Sequence, residues 1–217
     1  MHAVPGNQSK LRERTARLLV LASVPATLAV MGAVFWQQDL QYALPTPRPA
    51  NLRQTPRGSV QVLPTPLLAQ AEAHADRPLL LHFYNPDCPC SRFNRDHVHA
   101  LFTAFGDRVQ FVEIVETDAA DGAGSGLPIA RVVDADGSIA RACGIYSTPQ
   151  ALLLDSKRLV VFRGNFNVNR YCSETDTQFV RNAIADLLAG RARPVDPRAE
   201  HAYGCALPAE EPDARTR

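Results

Sequence analysis

Apolar residues are unevenly spread along the chain, and their spacing predicts its elements. Residues 18–36, LLVLASVPATLAVMGAVFW, form one uncharged run with no polar face. That run is long enough to cross a hydrocarbon core of ~30 Å. Residues 37–63 are polar, rich in proline and without apolar periodicity, which predicts a tether. Leu67, Leu68 and Ala71 share one face of a helix over 65–75, with Thr65 as its cap and Pro66 at its first position. LLLHFY (79–84) is a continuous apolar run, as in a strand buried on both faces. A helix follows over 89–105, with Phe93, Val98, Leu101, Phe102 and Phe105 apolar and Gly106 at its end. VQFVEIV (109–115) is a second strand, 118–126 a loop, and 131–137 a short strand and turn. Residues 151–155 and 159–163 read as a hairpin turning at Ser156 and Lys157. A last amphipathic helix spans 175–188 with Phe179, Ile184, Leu187 and Leu188 inward, and Gly190 stops it.

The order is that of a βαβ unit, an antiparallel hairpin and a closing helix, an α/β fold with a mixed sheet. The predicted organisation is a basic N-terminus (1–17), a membrane span (18–36), a linker (37–63), one domain (64–190) and a polar tail (191–217). Lys10, Arg12, Arg14 and Arg17 precede the span against a single acid, Glu13. The positive-inside rule then keeps this end cytoplasmic and sends the domain across. A cleaved signal peptide is the competing reading, and it too places the domain outside the cytoplasm. The net charge of +1 and the lack of a basic patch interleaved with aromatics argue against a nucleic-acid partner.

Five cysteines add chemistry to this picture, and their odd number leaves at least one without an internal partner. Pro89 at the first helical position makes Cys88 the helix N-cap. A sulfur there faces unpaired N–H groups and the positive end of the helix dipole, which favours the thiolate. Asp87 opposes this if its carboxylate turns inward. Residues i and i+2 diverge within a helix but can approach at an extended-to-helical junction, where so small a ring is strained and readily reduced. The expectation is that Cys88 is the attacking sulfur and Cys90 resolves the mixed disulfide. A pair of structural cysteines, or a permanent disulfide, also fits the pattern. Cys172 and Cys205 are expected to bridge and pin the tail, worth ~3–4 kcal/mol by loop entropy. Cys143 then remains, as a buried apolar cysteine or a third redox thiol. His97 follows Cys90 on one helix face, ~10 Å along the axis, too far to share a metal ion with it. His99 lies on another face, and His82 reads as a packed, hydrogen-bonded core residue. No metal site and no cofactor are expected.

Four segments carry a resemblance: LLLHFYNPDCPCSRF (79–93), VQFVEI (109–114), VVDADGSIARACGIYSTPQALLLD (132–155) and VVFRGNF (160–166). In order and content they resemble the thioredoxin superfamily, in its extracytoplasmic, membrane-tethered thiol–disulfide oxidoreductase and redoxin branch. The resemblance implies a thioredoxin-like three-layer sandwich with a mixed central sheet, here preceded by one transmembrane helix. It also implies a cis-proline at Thr148-Pro149, facing the cysteine motif and lining a groove for a substrate peptide. The chain departs from the family's Cys-x-x-Cys: Ser91 takes the second cysteine's place, and Asp87 stands where many relatives have tryptophan. CPCSRFN with a late YGC-LP tail resembles a small bacterial subgroup. The implied activity is that of a single-pass bacterial inner-membrane protein facing the periplasm. It would exchange electrons with protein thiols and disulfides and with a redox partner protein. A Cu(I) metallochaperone is an alternative, since soft thiolates suit Cu(I), but residues 116–170 lack the histidine that such relatives carry. A thiol peroxidase is another, with Asn85 where peroxiredoxins have Thr or Ser. A redox-inert interaction domain is the last.

Overall fold

A computed structural model describes residues 6–40, 44–116 and 124–207. Residues 118–123 of the loop expected over 118–126, and the tail beyond 207, lie outside the described residues. The chain divides into two units, Met1–Gln41 and Tyr42–Arg217. In the first, α1 (Gly6–Phe35) runs without interruption through Pro25 and ends in a wider π turn, Trp36–Leu40. Its apolar side chains, Leu18, Leu21, Leu28 and Met31 among them, are exposed. The stretch Lys10–Gln38 is long and apolar enough to cross a membrane.

The second unit is a mixed α/β domain. Its helices are α2 (Thr65–Ala73), α3 (Pro89–Phe105), α4 (Ser138–Ala142) and α5 (Phe179–Leu188), with a 3-10 turn at Pro197–Glu200. Its strands are β1 (Leu79–Tyr84), β2 (Gln110–Val115), β3 (Ala130–Val133), β4 (Ser147–Thr148), β5 (Gln150–Leu154), β6 (Val160–Gly164) and β7 (Cys205–Ala206). Five of them form one sheet in the order β3-β2-β1-β5-β6, and β4 pairs with β7 apart from it. β1 lies at the centre, parallel to β2 and antiparallel to β5, and every one of its residues is buried. Its unbroken apolar run follows from that position, since both faces are covered. Leu80 points to a core shared with Val98 and Leu101 of α3 and Val180 and Ile184 of α5. Leu79, Leu81 and Phe83 point to the opposite core, with Leu67 and Ala71 of α2 and Ile139 and Ala140 of α4. Each fully buried Leu of this kind contributes ~2 kcal/mol through removal from water.

Several expected boundaries shift for identifiable reasons. α2 takes Thr65 as its first residue, with Pro64 in the cap position. α5 starts at Phe179, four residues later than the apolar pattern suggests. Thr177 donates to the Asn167 side chain at 2.9 Å, and Asn167 donates to the Glu174 carbonyl at 2.7 Å, which holds 174–178 out of the helix. α4 was not expected. It exists because the buried carboxylate of Asp134 accepts the N–H groups of Ile139 (2.9 Å) and Ala140 (2.8 Å) at its start.

The expected tether is largely part of the domain. Val60 bridges Leu159, Gly58 N–H donates to the Val160 carbonyl at 2.8 Å, and Gln61 N–H to that of Arg158 at 2.9 Å. This segment therefore borders β6, and Thr46 and Gln61 are buried. Backbone pairing needs no apolar periodicity, so nothing in the side-chain pattern announced it. The polar tail folds back as well: Ala199, Ala202 and Tyr203 are buried.

Candidate functional site

β1 delivers the chain to a turn at Asn85, whose side chain accepts the Asp87 N–H at 2.8 Å and whose carbonyl accepts the Cys88 N–H at 3.1 Å. Cys88 is extended (φ −79°, ψ 117°) and stands at the N-cap of α3, with Pro89 opening the helix. Asp87 is exposed, so its charge is solvated beside the sulfur rather than buried against it. Ser91, where the family places its second cysteine, is buried and its hydroxyl accepts the Asn85 N–H at 3.3 Å.

The Cys88 sulfur faces the segment that the resemblance singled out. The Thr148-Pro149 peptide bond is cis. The Cys88 sulfur lies 3.3 Å from the Thr148 carbonyl oxygen. On its other flank, Asn85 donates to Glu116 at 2.9 Å, and burial raises the pKa of that carboxyl.

A third sulfur completes the group. β7 pairs antiparallel with β4, with Thr148 opposite Cys205 and Ser147 opposite Ala206. Cys88, Cys90 and Tyr203 form one buried cluster, and Cys205 packs against it. The thiols of Cys205 and then Cys90 donate toward the Cys88 sulfur, and these bonds hold its pKa far below the usual thiol range, against the opposing effect of burial. Their donor role raises the pKa of Cys90 and of Cys205, with burial adding to both. Arg170 lies close enough to Cys90 to oppose that rise. Of the three sulfurs Cys88 is thus the one that gives up its proton most readily, while Cys90 and Cys205 hold theirs, a distribution suited to disulfide exchange.

The other cysteines stand apart, which corrects the expected Cys172–Cys205 bridge. All five cysteines are free. Cys172 donates to the Asn94 side chain at 2.8 Å, and burial pushes its pKa up to about 12. Cys205 meanwhile sits on the Thr148 edge. Loop entropy alone favoured the bridge, and the strand pairing of 205–206 sends the sulfur elsewhere. Cys143 is fully buried, also raised to about 12 by burial, and belongs to the core beside α4. His82 is packed edge-on between Tyr84 and Phe166, but neither ring nitrogen has a hydrogen-bond partner among the described residues. Among the described residues no group of three His, Cys, Asp or Glu is placed to hold a metal ion. Sequence reasoning missed Cys205 as a site residue. The available signal was the run Tyr203-Gly204-Cys205, an aromatic and a glycine beside the fifth cysteine in an otherwise polar tail.

The family model described as "Domain of unknown function (DUF6436)" matches residues 60–207. The chain belongs to this family. The DUF6436 span runs from the segment bordering β6 to the end of the described tail, and so includes Cys88, Cys90 and Cys205. No curated protein matches the chain. Among solved structures, an uncharacterized conserved protein from Geobacillus kaustophilus is similar, at 19% identity and a TM-score of 0.55, over 74% of this chain and 94% of that one. The hypothetical protein SMc02350 from Sinorhizobium meliloti 1021 is similar at 23% identity and 0.53, over 72% and 94%. A structure described as "C-terminal domain of putative thiol-disulfide oxidoreductase" from Bacteroides thetaiotaomicron is similar at 13% identity and 0.50, over 64% and 99%. These likenesses bear on the fold alone, a mixed α/β domain built on a five-stranded sheet.

Proposed function

We propose that this DUF6436 protein is a membrane-anchored thiol–disulfide oxidoreductase acting on protein thiols and disulfides in the bacterial periplasm. Cys88 is its attacking sulfur, and Cys90 and Cys205 are the two thiols beside it from which the one that resolves a mixed disulfide is drawn. The observation that carries the reading is the Cys88 sulfur itself. It sits at the mouth of α3, receives thiol hydrogen bonds and lies 3.3 Å from the Thr148 carbonyl next to a cis-proline. A cysteine that serves only packing resembles Cys143, with its pKa raised, and Cys88 is shifted the other way. The thioredoxin-like fold and the description of the Bacteroides neighbour agree with this reading. The apolar helix Lys10–Gln38, with its basic flank, supports anchoring in the inner membrane with the domain outside. A substrate strand would lie along Thr148 and Pro149.

The test is dithiol-driven reduction of insulin disulfides by the full chain in detergent micelles. Wild type should accelerate it, Cys88→Ser should not, and equal rates for the two would remove the reading.

A further inference from the structure

Cys88 and Cys90 are both 0% exposed. No external sulfur reaches them while residues 202–207 stay in place. Those residues lie along the edge that a substrate strand would use, and they carry a cysteine. Resting on the thiol–disulfide reading above, we infer that Cys205 is the thiol that closes the internal disulfide with Cys88. It is presented by a C-terminal arm lying on the Thr148 edge as a substrate strand would.

Three features of the arm support this assignment. First, its register puts Cys205 opposite Thr148, the residue whose carbonyl oxygen lies 3.3 Å from the Cys88 sulfur. Second, the arm is fastened on both sides. Thr46 N–H donates to the Ala202 carbonyl at 2.7 Å, Ser147 Oγ to that of Tyr203 at 2.8 Å, and Leu207 N–H to that of Tyr146 at 3.0 Å. Third, Gly204 has φ +103°, and a Cβ there would overlap the Thr148 carbonyl oxygen and meet the Cys90 side chain at 3.4 Å. Only glycine lets the arm come this close, immediately before the cysteine. For a substrate to reach Cys88, residues 204–207 leave the Thr148 edge, which breaks the pairing of 205–206 and the Leu207 bond to Tyr146.

Cys90 is a poorer partner on geometric grounds. It is fixed in the first turn of α3, so bonding to Cys88 would distort the helix start. Cys205 arrives on a separate segment and carries no such constraint.

The exchange balances without any further oxidant. The Cys88 thiolate attacks one sulfur of a protein disulfide R–S–S–R′, forming Cys88–S–S–R and releasing R′S⁻. Cys205 then gives up its proton and attacks the Cys88 sulfur. The bond to R breaks, RS⁻ leaves, and the Cys88–Cys205 bond forms. One proton from Cys205 and one from solvent protonate the two leaving thiolates. The substrate gains two electrons and the protein loses two. A dithiol reductant of the compartment restores the starting state.

The test uses the full chain in detergent micelles, reduced, then oxidised with diamide, alkylated and digested with trypsin for mass spectrometry. The peptide holding Cys205 should be joined to the peptide holding Cys88 in wild type and in Cys90→Ser, and not in Cys88→Ser. Recovery of alkylated Cys205 beside a closed Cys88–Cys90 pair would overturn the inference. As a second readout, the lifetime of the Cys88–glutathione mixed disulfide is followed by intact mass. In Cys205→Ser, and equally in Cys205→Ala, it should lengthen on the order of a hundredfold, the loss expected on removing an intramolecular reactant. An unchanged lifetime in both variants also overturns it. If Cys88→Ser reduces insulin as fast as wild type, the functional reading and the inference fall together. If Cys88→Ser is inert and Cys205 still plays no part, only the inference falls.

Discussion

Cys88 and Cys143 are the same residue type, both fully buried, and their acidities move in opposite directions. Cys143 shows what burial alone does to a thiol: the charged form loses its water and the pKa rises. Cys88 is buried too, but two donated thiol hydrogen bonds, chiefly from Cys205, stabilise its charged form by more than burial costs. An ordinary thiol is protonated below about pH 8.5, so the expected signature is a thiolate that persists well into the acid range. Thiolate absorbance near 240 nm, recorded for wild type minus Cys88→Ser, should stay flat as the pH falls from 7 to 5. A difference signal that vanishes between pH 9 and 8 would contradict the hydrogen-bond account. His82 obeys the burial rule without relief. Burial pushes its imidazole down to about 4, with the Glu113 carboxylate 3.9 Å away opposing only in part. The unfolded chain takes up a proton near pH 6.5 that the folded chain refuses until about 4. Stability from the neutral ring is therefore complete above 6.5 and falls as the pH drops toward 4, by roughly 3 kcal/mol. Urea unfolding of wild type between pH 7 and 4.5 should show that loss, and His82→Leu should lessen it, the remainder belonging to His97, which burial also pushes down to about 4. An unchanged slope in the variant would assign the pH dependence to other groups.

At the scale of elements, α4 is the most informative, because five residues cannot hold a helix unaided. Its stability rests on Asp134, which is 3% exposed and receives two backbone N–H groups. Asp134→Ala should cost about 2–4 kcal/mol, read as a lower urea midpoint, and a change within a few tenths would show that α4 stands on its packing. The same element shows where sequence reading stops. β1, α3 and α5 carry strong apolar patterns over ten or so residues or an unbroken buried run, and they stand within a few residues of their expected positions. α4 is too short for any periodicity, and its cap is a carboxylate four residues upstream. The Cys-Pro-Cys corner was legible because Pro89 marks a helix start and the preceding strand is apolar. The third sulfur was not. Cys205 reaches the site through backbone pairing with Thr148 across 56 intervening positions of sequence, and backbone pairing leaves no mark in side-chain spacing. Loop entropy pointed to Cys172 instead, because that argument is blind to direction and weighs only chain length.

At the scale of the whole molecule, one apolar helix and one α/β domain divide the labour. The apolar side chains of α1 are exposed among the described residues, and a bilayer is the environment that would cover them. If the basic end at Lys10–Arg17 stays inside, protease added to intact spheroplasts should degrade the domain and leave a short membrane-protected fragment. A domain protected in spheroplasts and cut only after lysis would reverse that orientation. Within the domain, the sheet holds Cys88 at the end of β1 and Thr148 beside β5, while the chain's two polar flanks, 44–63 and 197–207, wrap the assembly. The central claim is that this frame makes Cys88 the sulfur of a reversible two-electron exchange. The most direct measurement is a single turnover, in which pre-reduced full chain is mixed with an excess of an unfolded protein disulfide and no other reductant. The account predicts that each wild-type chain reduces about one substrate disulfide and becomes oxidised itself, whereas Cys88→Ser releases no substrate thiol. Equal release by the two proteins, or none by either, would contradict it.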